Sequence, residues 1–123
     1  MGNKILLVDD DPEILSLVQY ALESMGHQVQ VCDNGREVID ALHTYKPELL
    51  LLDVMLPGID GYSLANQISE DATTKEIPII VLSALEPSRT MFQKFPQVST
   101  FLTKPFNTDD LMEAVKTALT KPK

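Results

Sequence analysis

The chain has no tryptophan, a single cysteine, and only ten lysine and arginine residues against eighteen acids. Each shortage excludes something. One cysteine, Cys32, rules out an internal disulfide and suits a reducing cytoplasm, where we expect the protein to reside. A net charge of −8 argues against nucleic acid as a direct partner, because a phosphate backbone attracts basic surfaces. No apolar run is long enough to cross a bilayer, so no membrane association is expected. The first apolar run, residues 5–8, is too short for a signal peptide and ends in three aspartates. Repeats, low-complexity tracts and linkers are also missing, so residues 1–123 read as one domain.

What the chain does have is an unusual stretch at its centre. Leu49, Leu50, Leu51 and Leu52 run unbroken into Asp53. A short run with no polar alternation reads as a strand buried on both faces, as in a parallel sheet. Asp53 cannot lie in that core unpaired, so it belongs at the strand's carboxyl end. Pro57-Gly58 and Asp60-Gly61 then mark a tight loop before the next helix. Open α/β sheets place ligands at such strand tips.

Two periodicities alternate along the rest. Residues 4–8 form an apolar strand closed by Asp9, Asp10 and Asp11, and Asp11-Pro12 is a good helix entry. Ile14, Leu15, Leu17, Val18, Ala21, Leu22 and Met25 follow at helical spacing, with Gly26 as the stop. Residues 28–32 alternate like an edge strand, and residues 36–45 read as a second helix. A third helix over 62–70, a strand over 77–82 ending at Ser83, a short helix over 87–94 and a strand over 100–103 ending at Lys104 come next. The last helix opens at Asn107 or Thr108, with Leu111, Met112, Val115, Ala118 and Leu119 on one stripe. Five strands alternating with five helices predict a doubly wound parallel sheet, and flavodoxin-like order 2-1-3-4-5 makes the first and third strands neighbours.

That order gathers chemistry at one end. Asp9 and Asp10 from the first strand, Asp53 from the third, Ser83 from the fourth and Lys104 from the fifth converge. Like charges so close repel unless a cation sits among them, and hard carboxylate oxygens suit Mg²⁺, with Mn²⁺ as a substitute. A hydroxyl and an ammonium opposite would cradle a phosphoryl group. A metal, a carboxylate nucleophile and such donors are what phosphoryl transfer onto an aspartate requires.

The segments LLVDDDP, LLLLDVMLPGIDGY, IPIIVLSA and FLTKPF resemble the receiver domain of two-component response regulators, the family typified by the chemotaxis Y protein. The likeness covers the whole chain, with every motif in order. It implies a phosphorylation-driven switch rather than a metabolic enzyme. By that resemblance Asp53 is the phosphoacceptor, attacking a phosphohistidine on a sensor histidine kinase or histidine phosphotransfer protein. Asp10 and Asp53 hold Mg²⁺ directly, Asp9 helps mainly through water, and the backbone carbonyl of Met55 is a further ligand. Ser83 is the switch hydroxyl, Lys104 pairs with the phosphoryl group, and Pro105 is the cis-proline that aims it. Phe101 stands at the family's switch aromatic, although a plain core aromatic would also suit that place. Output then passes through the face of the fourth helix, fifth strand and fifth helix, from a monomer or a phosphorylation-dependent dimer.

The likeness is weakest over residues 85–100, which lack the usual Gly-Ala pair before the last strand and carry Pro87 and Pro96. Met55 and Leu85 flank the path of an attacking water and predict a long-lived phosphoryl state. Two other function classes fit less well. An aspartate-based Mg²⁺ phosphatase usually needs a second acid two residues after the nucleophile, where Met55 stands. A flavin or nucleotide module needs a phosphate loop after the first strand, where Asp9, Asp10 and Asp11 would repel phosphate. His27 and His43 lack metal-ligand companions and read as surface residues, and Cys32 reads as a small buried hydrophobe.

Overall fold

A computed structural model of the chain describes residues 2–54, 61–83, 95–104 and 106–120, with the side chains of Gly61 and Ser83 outside that description. Five strands, β1 (Lys4–Val8), β2 (Gln28–Cys32), β3 (Leu49–Asp53), β4 (Ile79–Ser83) and β5 (Val98–Thr103), form one parallel sheet. Their order is β2-β1-β3-β4-β5, as predicted. The described helices are α1 (Pro12–Ser24), α2 (Val38–Tyr45), α3 (Gly61–Glu70) and α4 (Thr108–Thr120). The helix predicted over 87–94 lies outside the described residues.

The unbroken leucines of β3 are explained by two apolar layers. Leu50 and Leu52 join Leu6, Val8, Val81 and the inner faces of α2 and α3 on one side. Leu49 and Leu51 join Ile5, Leu7, Ile80 and the inner faces of α1 and α4 on the other. All four leucines are fully buried. Each such side chain stabilises the fold by roughly 1.5–3 kcal/mol, and no polar residue could alternate into the run.

Element ends follow their local chemistry. The Asp11 side chain accepts from the Glu13 amide at 2.9 Å and Pro12 opens α1, while Gly26, at φ +94°, turns the chain into β2. The second helix begins differently from expectation. Asn34 caps a 3₁₀ turn over Gly35–Glu37, and α-helical geometry starts only at Val38. Strand β4 starts two residues later than predicted, because Ile77 is still tied to Thr74 of the preceding turn at 3.0 Å. Strand β5 starts two residues earlier, with a register irregularity opposite Ile79 and Ile80. Asn107 caps α4 by accepting from the Asp110 amide at 2.8 Å.

Two apolar residues that fit the helical spacing turn outward. Leu17 is 47 % exposed and Met112 39 % exposed. Both sit on helices whose buried stripe is narrower than the run of apolar residues, and Ala114 takes the inner place on α4 instead. Among the described residues no helix is long and apolar enough to cross a membrane.

Candidate metal and phosphoryl site

The register of the sheet brings the predicted site together. Val8 pairs with Leu52 across β1 and β3, so Asp9 and Asp53, each the next residue, emerge side by side. Asp53 lies opposite Leu82 and Ser83 opposite Thr103, so Ser83 and, one residue further, Lys104 reach the same end of the sheet. The Asp9 amide extends the ladder by donating to the Cys32 carbonyl at 3.2 Å. Four segments, none adjacent in sequence, thus end at one edge.

The charges there are close and mostly dry. Asp9 is fully buried and Asp53 is 4 % exposed, whereas Asp10 faces solvent. One carboxylate oxygen from each of the three lies within 4.8 Å of the others. Lys104 Nζ donates to Asp9 Oδ2 at 2.8 Å and stands 3.5 Å from Asp53 Oδ2. The other Asp9 oxygen accepts from the Asp11 amide at 3.0 Å, an Asx-type turn that aims the carboxylate. Burial, the largest single influence on Lys104, pulls its pKa down, but its hydrogen bond to Asp9 and the charges of Asp53 and Asp9 together leave it above the ordinary lysine value. The lysine is a fixed cation at any physiological pH.

One lysine cannot balance three carboxylates. Oxygen donors at this spacing, with one acid open to solvent, fit a small hard divalent ion that keeps part of its water shell. Such an ion fits the donor set better than a soft metal would, since the chain's single cysteine, Cys32, is buried and its thiol pKa is pushed up by burial.

The structure also adds what sequence reasoning missed. Lys104 rests closer to Asp9 than to Asp53, and Asp9 is a buried partner of the lysine. The spacing of Asp9 and Asp11 was a readable signal for the turn; the lysine contact, between residues 95 positions apart, was not. Phe101 is partly buried in β5 against the layer that holds Val81 and Leu52. Tyr62, at the start of α3, packs on Phe95 with ring centroids 5.5 Å apart. Ser83 closes β4, with its hydroxyl outside the described atoms. Met55, Leu85 and Pro105, and the loop through Pro57, Gly58 and Asp60, lie outside the described residues.

Fold and site together define an open α/β protein with an acidic, lysine-paired notch at the carboxyl end of its parallel sheet. Comparison with known proteins gives the family: residues 5–116 match the response regulator receiver domain, and the chain belongs to it. It is 30 % identical over 117 residues to protein PilH of Pseudomonas aeruginosa, covering 94 % of this chain and 97 % of PilH. It is 34 % identical to the DNA-binding dual master transcriptional regulator RpaA of Synechocystis, covering 94 % of this chain but 48 % of RpaA. The chain thus spans about half the length of several curated relatives it matches. Among solved structures it superposes on a response regulator from Chloroflexus aurantiacus with a TM-score of 0.92 and 28 % identity, covering 98 % of this chain and all of the other. The receiver domain of the sensor histidine kinase PA1611 of Pseudomonas aeruginosa, solved with magnesium coordinated in its active-site cleft, gives a TM-score of 0.88 at 27 % identity, again covering 98 % of this chain and all of the other. Receiver domains of two-component systems are in general signalling switches, and in the PA1611 neighbour the active-site cleft holds magnesium.

Proposed function

We propose that this protein is a cytoplasmic switch, acting as one module over residues 1–123, that is turned on by phosphorylation of Asp53. The observation that carries the reading is the position of Asp53: 4 % exposed, grouped with Asp9 and Asp10, and 3.5 Å from the Lys104 ammonium. An isolated buried carboxylate would be costly, and a clustered one is retained where charge is to be handled.

The donor is a phosphohistidine on a sensor histidine kinase or histidine phosphotransfer protein. An Asp53 carboxylate oxygen attacks phosphorus, the phosphorus–nitrogen bond breaks, and its electron pair leaves with the imidazole. The product is an aspartyl phosphate. Asp10 and Asp53, with Asp9 and the Met55 carbonyl, would hold Mg²⁺ or Mn²⁺, which when bound offsets the charge on the phosphoryl oxygens. Lys104 shifts from Asp9 toward the new group, and its ammonium offers a charge-assisted hydrogen bond. The Ser83 hydroxyl turns to another phosphoryl oxygen, Pro105 aims the lysine, and Phe101 follows Ser83 inward. The surface beside β5 then changes and signals to a partner or a fused effector. A differential affinity of a few kcal/mol is enough to shift two populated packings.

Acetyl phosphate with Mg²⁺, followed by intact mass measurement, tests the reading. The wild type should gain one phosphoryl group and Asp53→Asn none. An unchanged wild-type mass overturns it, and steady turnover of a generic phosphomonoester would favour the phosphatase alternative instead.

A further inference from the structure

The sheet has two outer strands, and they are finished differently. In β5 the register against β4 slips by one residue, Ser99, a bulge of the kind that stops an edge from templating another strand. In β2 the register against β1 runs unbroken from Gln28 opposite Lys4 to Cys32 opposite Val8. That strand, Gln28, Val29, Gln30, Val31 and Cys32, holds no charge and no proline, in a chain of net charge −8. Gln28, Gln30 and Val31 are exposed. The ladder decides which way each residue of β2 turns its backbone. The Gln28 amide donates to the Asn3 carbonyl at 3.0 Å, and the Cys32 carbonyl accepts from the Asp9 amide at 3.2 Å. Directions alternate along a strand, so Gln28, Gln30 and Cys32 turn their backbone groups to β1, and Val29 and Val31 turn theirs to the open edge. The Val29 side chain packs on the layer of α1 and α4, and Val31, two residues on, lies on the same face of the sheet.

We infer that β2 pairs antiparallel with β2 of a second copy of this chain, about a twofold axis at Gln30, joining the two sheets into one. In that register Val29 faces Val31 of the second copy and exchanges both backbone hydrogen bonds with it, and the axis repeats the pair. Each half-buried Val29 then covers an exposed Val31. Gln30 meets its own copy in the close, non-hydrogen-bonded pair between them. Carried to either end, the register sets His27 opposite Asp33. His27 Nδ1 accepts from the Asn3 amide, which leaves the Nε2 hydrogen for that carboxylate. Residues 27–33 are therefore complementary to their own reverse in hydrogen bonding, apolar contact and charge, and this selects a second copy over an unrelated extended segment. The seam is short, so the dissociation constant should be on the order of 0.1–1 mM. The pairing does not rest on the phosphoryl reading.

Sedimentation equilibrium of the full chain, up to about 1 mM in about 0.3 M salt, tests the inference. The wild type should pass from monomer to dimer over that range. Val31→Lys should weaken the association at least tenfold, as a charge on an open edge does. It also brings the net charge from −8 to −7, so added repulsion between copies cannot explain the loss. Met112→Lys makes the same charge change at an exposed position on α4 and should dimerise like the wild type, as should Asp53→Asn. Cross-linking reads the register directly. In a Cys32→Ser background, Gln30→Cys treated with diamide should form a disulfide-linked dimer several-fold faster than Gln28→Cys, which the axis keeps away from its own copy. A wild type that stays monomeric, a Val31→Lys chain that associates unchanged, equal losses in the two lysine variants, or faster cross-linking at position 28 would each overturn the pairing.

Discussion

The two ends of the sheet are built from the same five strands and solve the same problem, the termination of a buried parallel ladder, in opposite ways. At the amino end the loose groups are satisfied mainly by neutral or local partners. Gln97 Nε2 donates to the Thr74 and Ile77 carbonyls at 3.1 and 2.7 Å, and the Asn3 amide donates to His27 Nδ1 at 3.0 Å. Glu48 accepts from the Lys4 amide while its own amide donates back to the Lys4 carbonyl. Even an acid there, Asp71, is held by the Thr73 amide and hydroxyl and by His43, contacts that lower its pKa to about 2. At the carboxyl end two buried carboxylates, with a third nearby, share the ammonium of one lysine that follows another strand. The amino end therefore fastens the fold, while the carboxyl end keeps an imbalance that a cation or a phosphoryl group can use.

The widest effect should come from the layer both ends share. Leu51→Ala, at a fully buried position, should cost about 2–5 kcal/mol in denaturant unfolding and weaken both ends alike. A loss below 1 kcal/mol would mean the two ends are not tied by one core. Next is Lys104→Met, which leaves Asp9 and Asp53 without their cation and should cost up to about 3 kcal/mol in EDTA. Adding Mg²⁺ should restore part of that loss, and an unaltered Mg²⁺ response would show that the lysine and the ion do not share these oxygens. Gln97→Ala strands two carbonyls at the other end and should cost about 1–2 kcal/mol while leaving phosphoryl uptake at Asp53 unchanged. Asp10→Asn should act in the opposite sense, raising the melting temperature slightly without metal and reducing the further rise on adding Mg²⁺.

The smallest effect concerns pH. Partial burial depresses the His27 pKa below 6.5, and the Asn3 amide needs Nδ1 unprotonated. The unfolded chain therefore binds the proton first, so this contribution is complete above pH 6.5 and declines as pH falls toward the folded-state pKa. In His27→Gln the slope of melting temperature against pH below 6.5 should flatten, and an identical slope would remove His27 from the account.

Much of this was legible in the sequence because it rests on local chemistry and pattern. The leucine run stated that β3 is buried on both faces, Asp11-Pro12 stated where α1 begins, and the alternation of periods yielded the doubly wound parallel sheet, whose flavodoxin-like form has this strand order. Lys104 and the three aspartates could be collected at one end because parallel strands all finish on the same side. Where sequence failed, tertiary neighbours were responsible. Leu17 and Met112 fit a helical stripe by spacing, yet only the width of the contact with the sheet determines which apolar residues it covers. Strand β4 was read too early because apolar Ile77 and Pro78 carry no sign of the turn that still holds them.

The sequence by itself determined the class of fold, the level at which charge gathers and the residues that supply it, since periodicity and strand-end position follow from the chain alone. Only the tertiary structure decided that Lys104 rests on Asp9, that Asp9 is buried beside Asp53, and that Val29 and Val31 turn their backbone groups to an open edge. Those facts depend on distances between segments far apart in the chain, and such distances are set by packing rather than by pattern.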